Sequence, residues 1–399
     1  MNEIKEETRI FNPQYLILFT ANMIVSVGYS MVTTCLTLYI KGFGATTTVA
    51  GFVAGILSLA SLCTRPFTGW LSDTINRKHL MMLSSIGIMI AMFGYGITQS
   101  IPLLSFFRVL HGVSFAISTT TSLALVGSTL PKQKLGQGLG YFAAGQAVGV
   151  AFAPSLGMWL GQNIGYSATF FLSAILLGIS VMMIAFLKTG AVEKKEHAQK
   201  LSLRNLLENF FAKEAILFAV LAAAVSATKG IENNFIALYG GELGLGNVGW
   251  YFSISAAMLF VSRLLFSKLG DKYSFRVILL CGVGSMAIAY LLLILAPRGL
   301  PVLMLGLASS LKALGMGVVQ PTVQANCLRS VSENRRGKAS STYYLGADIG
   351  QSLAPILGGA AVDSIGYQGM FALAPIPLIA VTAFYIIHQT FGRKGSRPA

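Results

Sequence analysis

Arg65-Pro66-Phe67-Thr68-Gly69-Trp70-Leu71-Ser72-Asp73, closed by Arg77-Lys78, decides the fold, because the chain carries this stretch twice. The second copy is Arg263-Leu264-Leu265-Phe266-Ser267-Lys268-Leu269-Gly270-Asp271, closed by Arg276. Arg65 and Arg263, Leu71 and Leu269, Asp73 and Asp271, Lys78 and Arg276 keep one offset, and both copies sit in apolar surroundings. Further on, Gly145, Gly149, Pro154, Gly157, Gly165, Tyr166 and Phe170 map at a constant offset onto Gly346, Gly350, Pro355, Gly358, Gly366, Tyr367 and Phe371. The chain is therefore built of two homologous halves. In an apolar chain, a duplicated half points to a transporter.

Composition agrees. Of 399 residues, 54% are hydrophobic and only 11% charged, against about 25% charged in soluble domains. Water-soluble readings fall away. The net charge of +15 does not imply nucleic acid, because the bases lie between apolar runs rather than on one basic face. That is the pattern that orients membrane helices. The partners expected are the lipid bilayer and a small-molecule substrate, with no nucleic acid.

Cys35, Cys63, Cys281 and Cys327 are far apart inside apolar segments and lack metal spacing, so they read as small hydrophobes and no metal is expected. A nucleotide-binding GxxxxGK[ST] loop is missing. No catalytic constellation can be assembled, which disfavours an enzyme, and no cofactor is expected. The energy source would be a proton gradient.

Apolar runs of about 20 residues or more are long enough to span a bilayer. They fall near 14–40, 47–71, 79–98, 101–130, 135–161 and 167–187, then near 213–240, 246–269, 275–296, 300–328, 338–362 and 368–391. The expected fold is all-α, with twelve transmembrane helices in two six-helix bundles, 1–187 and 213–399, joined by a polar linker at 188–212. Basic residues concentrate in alternate connectors, the linker and the tail. That places both termini and the linker in the cytoplasm. A monomer is expected.

The first loop stretch, Gly69-Trp70-Leu71-Ser72-Asp73 with Arg77-Lys78, resembles the helix 2–3 loop signature of the major facilitator superfamily, with Thr74 and Asn76 departing from it. Arg108-Val109-Leu110-His111-Gly112 resembles the family's helix 4 signature Arg-x-x-Gln-Gly. Gly149 to Gly157 is similar to the helix 5 signature of proton-coupled exporters, Ala153 and Met158 standing where glycines are usual. The resemblance covers about residues 14–391, and the nearest likeness is to compact bacterial drug and metabolite exporters.

The resemblance implies roles. Asp73 would latch the cytoplasmic gate by facing the positive end of a neighbouring helix, with Asp271 as its repeat. Arg65, Gly69, Arg77, Lys78, Arg263 and Arg276 would complete that gate. Gly145, Gly149, Pro154 and Gly157, with Gly350, Pro355 and Gly358, form a packing motif on helices 5 and 11. Its helix 5 part is expected to bend that helix and seal the interface between halves, although simple close packing would also explain it. Helices 1, 4, 7 and 10 would line the cavity, which makes Asn22, Tyr29, Arg108, His111, Lys229, Asn233, Lys312 and Gln320 candidate substrate contacts.

Charges deep in a spanning helix are costly and mark function by default. Glu232 and Asp348 are the proton-coupling candidates. Lys229 lies one turn from Glu232 and suggests a pair along one helix face. No base precedes Asp348 by a turn, so Asp348 is expected to carry the proton and Glu232 to contact substrate. The main reading is proton-coupled efflux of a drug-like compound or metabolite. Uptake of a sugar, organic anion or small metabolite by a symporter or facilitator stays open, as does a transporter-like receptor or scaffold without flux.

Overall fold

The computed structural model describes residues 10–131, 134–187, 212–266, 273–332 and 335–392. Among them are twelve α-helices, two short 3-10 segments and no strand. The first six are α1 (Pro13–Lys41), α2 (Thr47–Thr74), α3 (Arg77–Ile97), α4 (Ile101–Thr129), α5 (Leu135–Asn163) and α6 (Tyr166–Ala185). The second six are α7 (Ile216–Glu242), α8 (Gly249–Phe266), α9 (Phe275–Leu295), α10 (Pro301–Arg329), α11 (Arg336–Leu373) and α12 (Ile376–Gly392). The protein is an all-helical, multi-pass membrane protein.

Local chemistry sets the helix starts. Asn12 Oδ1 accepts from the Tyr15 N–H at 2.8 Å, capping α1, and Pro13 follows at its first position. Asn12 Nδ2 also donates to the Thr129 carbonyl at 2.8 Å, tying that cap to the end of α4. Asn76 caps α3 through the Lys78 N–H. Nine described segments are long and apolar enough to cross a membrane, the last of them, Lys338–Ile387, taking in both final helices. The glycine- and glutamine-rich α5 is not among them, and neither is α8, whose C-terminal continuation lies outside the described residues.

α11 is two helices merged across a break at Gly366, with φ 73° and ψ 175°, which falls between the expected spans 338–362 and 368–391. Gly165, between α5 and α6, has φ 118°. These repeat-related glycines hold the left-handed backbone that an L side chain disfavours, so each lets the chain reverse. Gly366→Ala should therefore cost about 1–2 kcal/mol. A fall in apparent Tm in detergent checks it, with Gly284→Ala as control, because a Cβ at Gly284 meets nothing within 4 Å.

Contacts divide the chain into two compact units, one of Met1–Gly44 with Ile56–Leu203 and one of Ala45–Gly55 with Arg204–Ala399. The start of α2 thus groups with the second unit. Residues 188–211, most of the expected linker, lie outside the described residues. In unit 1, α1 packs on α5 and α6; in unit 2, α7 packs most extensively on α11. Matching contacts mark the repeat. Tyr39 on α1 meets Phe170 with ring centroids 5.0 Å apart, and Tyr239 on α7 meets Phe371 at 5.0 Å. Tyr39 donates to the Thr98 carbonyl at 3.0 Å and Tyr239 to that of Leu293 at 2.6 Å.

The glycines of α5 pack closely inside their own unit. A Cβ at Gly149 would lie 3.0 Å from Val27 Cγ2, and one at Gly157 3.1 Å from Met31 Cα, both on α1. On α11, Gly346 and Gly350 press against the Ala219 and Ala223 backbone of α7, and Gly358 faces Ile231 and Phe235. The motif is a small-residue seam that brings helix backbones together.

Candidate functional site

The structure gathers the deep polar residues into two groups, one in each unit. In unit 2 the group is built on α7 and α10. Lys312 is 2% exposed and forms an ion pair with Glu232, whose side chain is 9% exposed. Lys312 Nζ also donates to the Thr228 carbonyl at 3.1 Å. Tyr290 from α9 donates to that same carbonyl at 3.1 Å. One turn along α7, Asn234 donates to the Gly230 carbonyl at 2.8 Å.

This corrects the expected pairing within one helix. The partner of Glu232 is Lys312 across the helix boundary, and the Lys229 side chain is not buried in its unit. Three-residue spacing allows a pair but does not fix which neighbour wins. Here the base on the facing helix is the buried one. Glu232 Oε1 has no hydrogen-bond partner among the described residues. The carboxylate is therefore held on one oxygen and open on the other. Isolated charges at such depth are prohibitive, so each member depends on the other.

In unit 1 the group lies on α1, α3 and α4. Arg108 and His111 are both buried. The Tyr95 hydroxyl donates to the Phe107 carbonyl at 3.3 Å and lies 3.1 Å from His111 Nδ1. Tyr29 stacks on Phe115 at 4.9 Å and meets His111 edge-on at 6.1 Å. Asn22 is buried on α1 with no partner for its Nδ2 among the described residues. Tyr29, Tyr95, His111 and Phe115 form one aromatic cluster, with the buried Arg108 one turn before His111 on α4.

Other candidates stand apart from these groups. Asp348 is only partly buried on α11, as are Asn233 on α7 and Gln320 on α10. Asp348 thus stands outside the buried ion pair that holds Glu232. At the loop signature, Arg77 Nε donates to the Ser72 carbonyl at 3.2 Å. Lys78 Nζ donates to the Ala185 and Leu187 carbonyls, both at 2.7 Å, placing a cation on the negative end of α6. Arg65 and Arg276 are partly buried and Arg263 is exposed. The surroundings of Gly69, the side chain of Asp73 and all of Asp271 lie outside the described residues.

Sequence reasoning missed Tyr95 and Tyr290. Each sits on the third helix of its half and reaches the polar group of its own unit, so the repeat itself was the available signal.

Two six-helix halves with buried polar or charged residues on the first and fourth helices of each suit a solute carrier, and the sequence decides which. It matches the Major Facilitator Superfamily over residues 18–246 and again over 233–399. The chain belongs to that superfamily. Within the superfamily it is similar to the MFS-type transporter YuxJ of Bacillus subtilis, 27% identical over 86% of this chain and 90% of that protein. It is 27% identical to the multidrug resistance protein MdtG of Dickeya zeae over 90% of this chain and 89% of that one. The multi-drug resistance efflux pump PmrA homolog of Lactococcus lactis matches at 27% over 86% and 87%. Among solved structures, the nucleoside transporter NupG superposes with TM-score 0.76 at 14% identity, covering 94% of this chain and 98% of that one. A POT family transporter in complex with 5-aminolevulinic acid gives 0.77 at 15%, over 94% and 95%.

Proposed function

We propose that this protein is a proton-driven exporter of a small drug-like compound or metabolite in a bacterial inner membrane, working as a monomer with both termini and the 188–212 linker cytoplasmic. The observation that carries the reading is the buried Lys312–Glu232 pair between α7 and α10. A proton arriving on Glu232 cancels the pair and leaves Lys312 uncompensated. The protein then relaxes toward whichever state solvates or re-pairs that lysine. Substrate that engages the same groups biases the same equilibrium, which is the differential affinity that coupling requires. The relatives named for multidrug resistance support export. Lys312, Lys229 and Arg108 against Glu232 and Asp348 favour a neutral, zwitterionic or anionic solute over a purely cationic one.

Proteoliposomes with an imposed pH gradient, screened against dyes, drugs and metabolites, test this. Gradient-dependent accumulation that a protonophore collapses is expected. Flux with the opposite proton direction would indicate uptake instead. Glu232→Gln should abolish accumulation against a gradient while leaving downhill exchange measurable. Asp348→Asn should lower accumulation by less than about threefold, because Asp348 lies outside the buried pair. Wild-type accumulation by Glu232→Gln would return the proton to Asp348.

A further inference from the structure

Asp363 lies near the end of α11, three residues before the Gly366 break. Its carboxylate reaches the first turn of α2. Thr47 N–H donates to Oδ1 at 3.1 Å, Thr48 N–H donates to Oδ2 at 2.7 Å, and the Thr48 hydroxyl donates to Oδ2 at 2.7 Å. Both oxygens are engaged, and the partners are the N–H groups that a helix start leaves without intrahelical acceptors. A negative charge there also faces the positive end of the helix dipole.

The contact does not stand alone. Below it, α2 and α11 touch backbone to backbone along a row of glycines. A Cβ at Gly55 would lie 2.6 Å from the Ser352 carbonyl oxygen. A Cβ at Gly51 would collide with the Pro355 carbonyl, and one at Gly359 with that of Thr47. Gly51 and Gly55 are four apart, so they share one face of α2. That row explains why Ala45–Gly55 groups with unit 2, while α2 continues unbroken into unit 1 from Ile56. The start of α2 is thus clamped to α11.

We propose that Asp363 is the latch of the external gate. It holds the start of α2 against α11 in this state and lets go when the mouth on that side opens. The glycine row provides a flat seam that can part without unthreading side chains, and the carboxylate provides the hold. The contact is charge-assisted and exposed at the helix ends, so it is strong enough to bias an equilibrium and weak enough to break each cycle. The inference rests on the alternating-access reading above. It assigns a positioning role to a residue that touches neither the buried ion pair nor the Asp73 loop.

The test uses full-length protein in which the four native cysteines are replaced. Ser58 is buried one turn beyond Gly55 on the same face of α2, so Ser58→Cys reports opening. A membrane-impermeant maleimide is added from the side of the α1–α2 turn. Asp363→Asn keeps the shape and removes the charge, and it should speed labelling of Ser58→Cys about threefold to tenfold. Unchanged labelling overturns the proposal. A second variant carries Thr48→Cys and Asp363→Cys, closed by a short methanethiosulfonate cross-linker. Cross-linking should stop substrate flux and slow labelling, and reductant should restore both. A cross-linked protein that transports as fast as the open one makes Asp363 a static helix cap and overturns the latch. Absence of flux from the parent protein would defeat the transport reading instead, while the labelling rates still decide the latch.

Discussion

Lys312→Met is expected to destabilise the folded protein by about 3–5 kcal/mol and to abolish transport. The substitution conserves length and apolar contact, so packing loss is small. What it removes is the only ion-pair partner the structure shows for Glu232, at a depth where neither residue is more than 9% exposed. Glu232 must then either take up a proton or stay charged with Oε1 already lacking a hydrogen bond. Both outcomes cost more than the pair did. The double variant Lys312→Met/Glu232→Leu should recover most of the lost stability, since an apolar pair of similar volume replaces a buried ion pair at little cost or with gain. It should recover none of the transport. Apparent Tm at a fixed scan rate and gradient-driven flux, measured on the two single variants and the double, form the cycle. A Lys312→Met protein as stable as its parent would mean that the pair is not desolvated.

The second large effect is expected at Gly350. A Cβ built there falls 2.7 Å from the Ala223 carbonyl carbon and 2.9 Å from its Cα, nearer still to the carbonyl oxygen. These are backbone atoms of α7, which cannot swing aside as a side chain can. Gly350→Ala should force the helices apart and cost about 1–3 kcal/mol, and Gly350→Leu should prevent folded protein from accumulating. The repeat supplies a graded comparison. At Gly149 the nearest atoms are Val27 Cγ2 at 3.0 Å and the Met23 oxygen at 3.2 Å, so Gly149→Ala should be the milder of the two. Size-exclusion yield and apparent Tm rank the variants. Equal losses at both positions would mean that the α7–α11 seam is no tighter than α1–α5.

The repeat made the fold legible, because matched Arg, Gly, Pro and Asp positions at one offset leave few architectures open. Helix periodicity did not reveal which side chains meet across helices. Lys229 sits nearer Glu232 in sequence than Lys312 does, but burial on the facing helix decided the pairing. The depth of Asp348 along α11 was legible and its exposure was not, since hydropathy places a residue along a helix axis but not around it. Asp363 escaped notice because the apolar run ends at 362, one residue before it, and a carboxylate at that edge looks like a solvated loop charge.

The pairing of α1 with α5, and of α7 with α11, has a consequence for how the chain is made. Helices leave the ribosome in order, and the partner of each of these arrives four helices later. Until then α1 must wait in lipid with its seam face uncovered, whereas α3 and α4, or α9 and α10, meet their sequence neighbours at once. The hairpins can assemble during synthesis, and each bundle closes only when its fifth helix slides against its first. The glycines suit that late arrival. A smooth face is stable in lipid while unpaired, needs no side-chain interlocking to dock, and commits the bundle once the backbones touch.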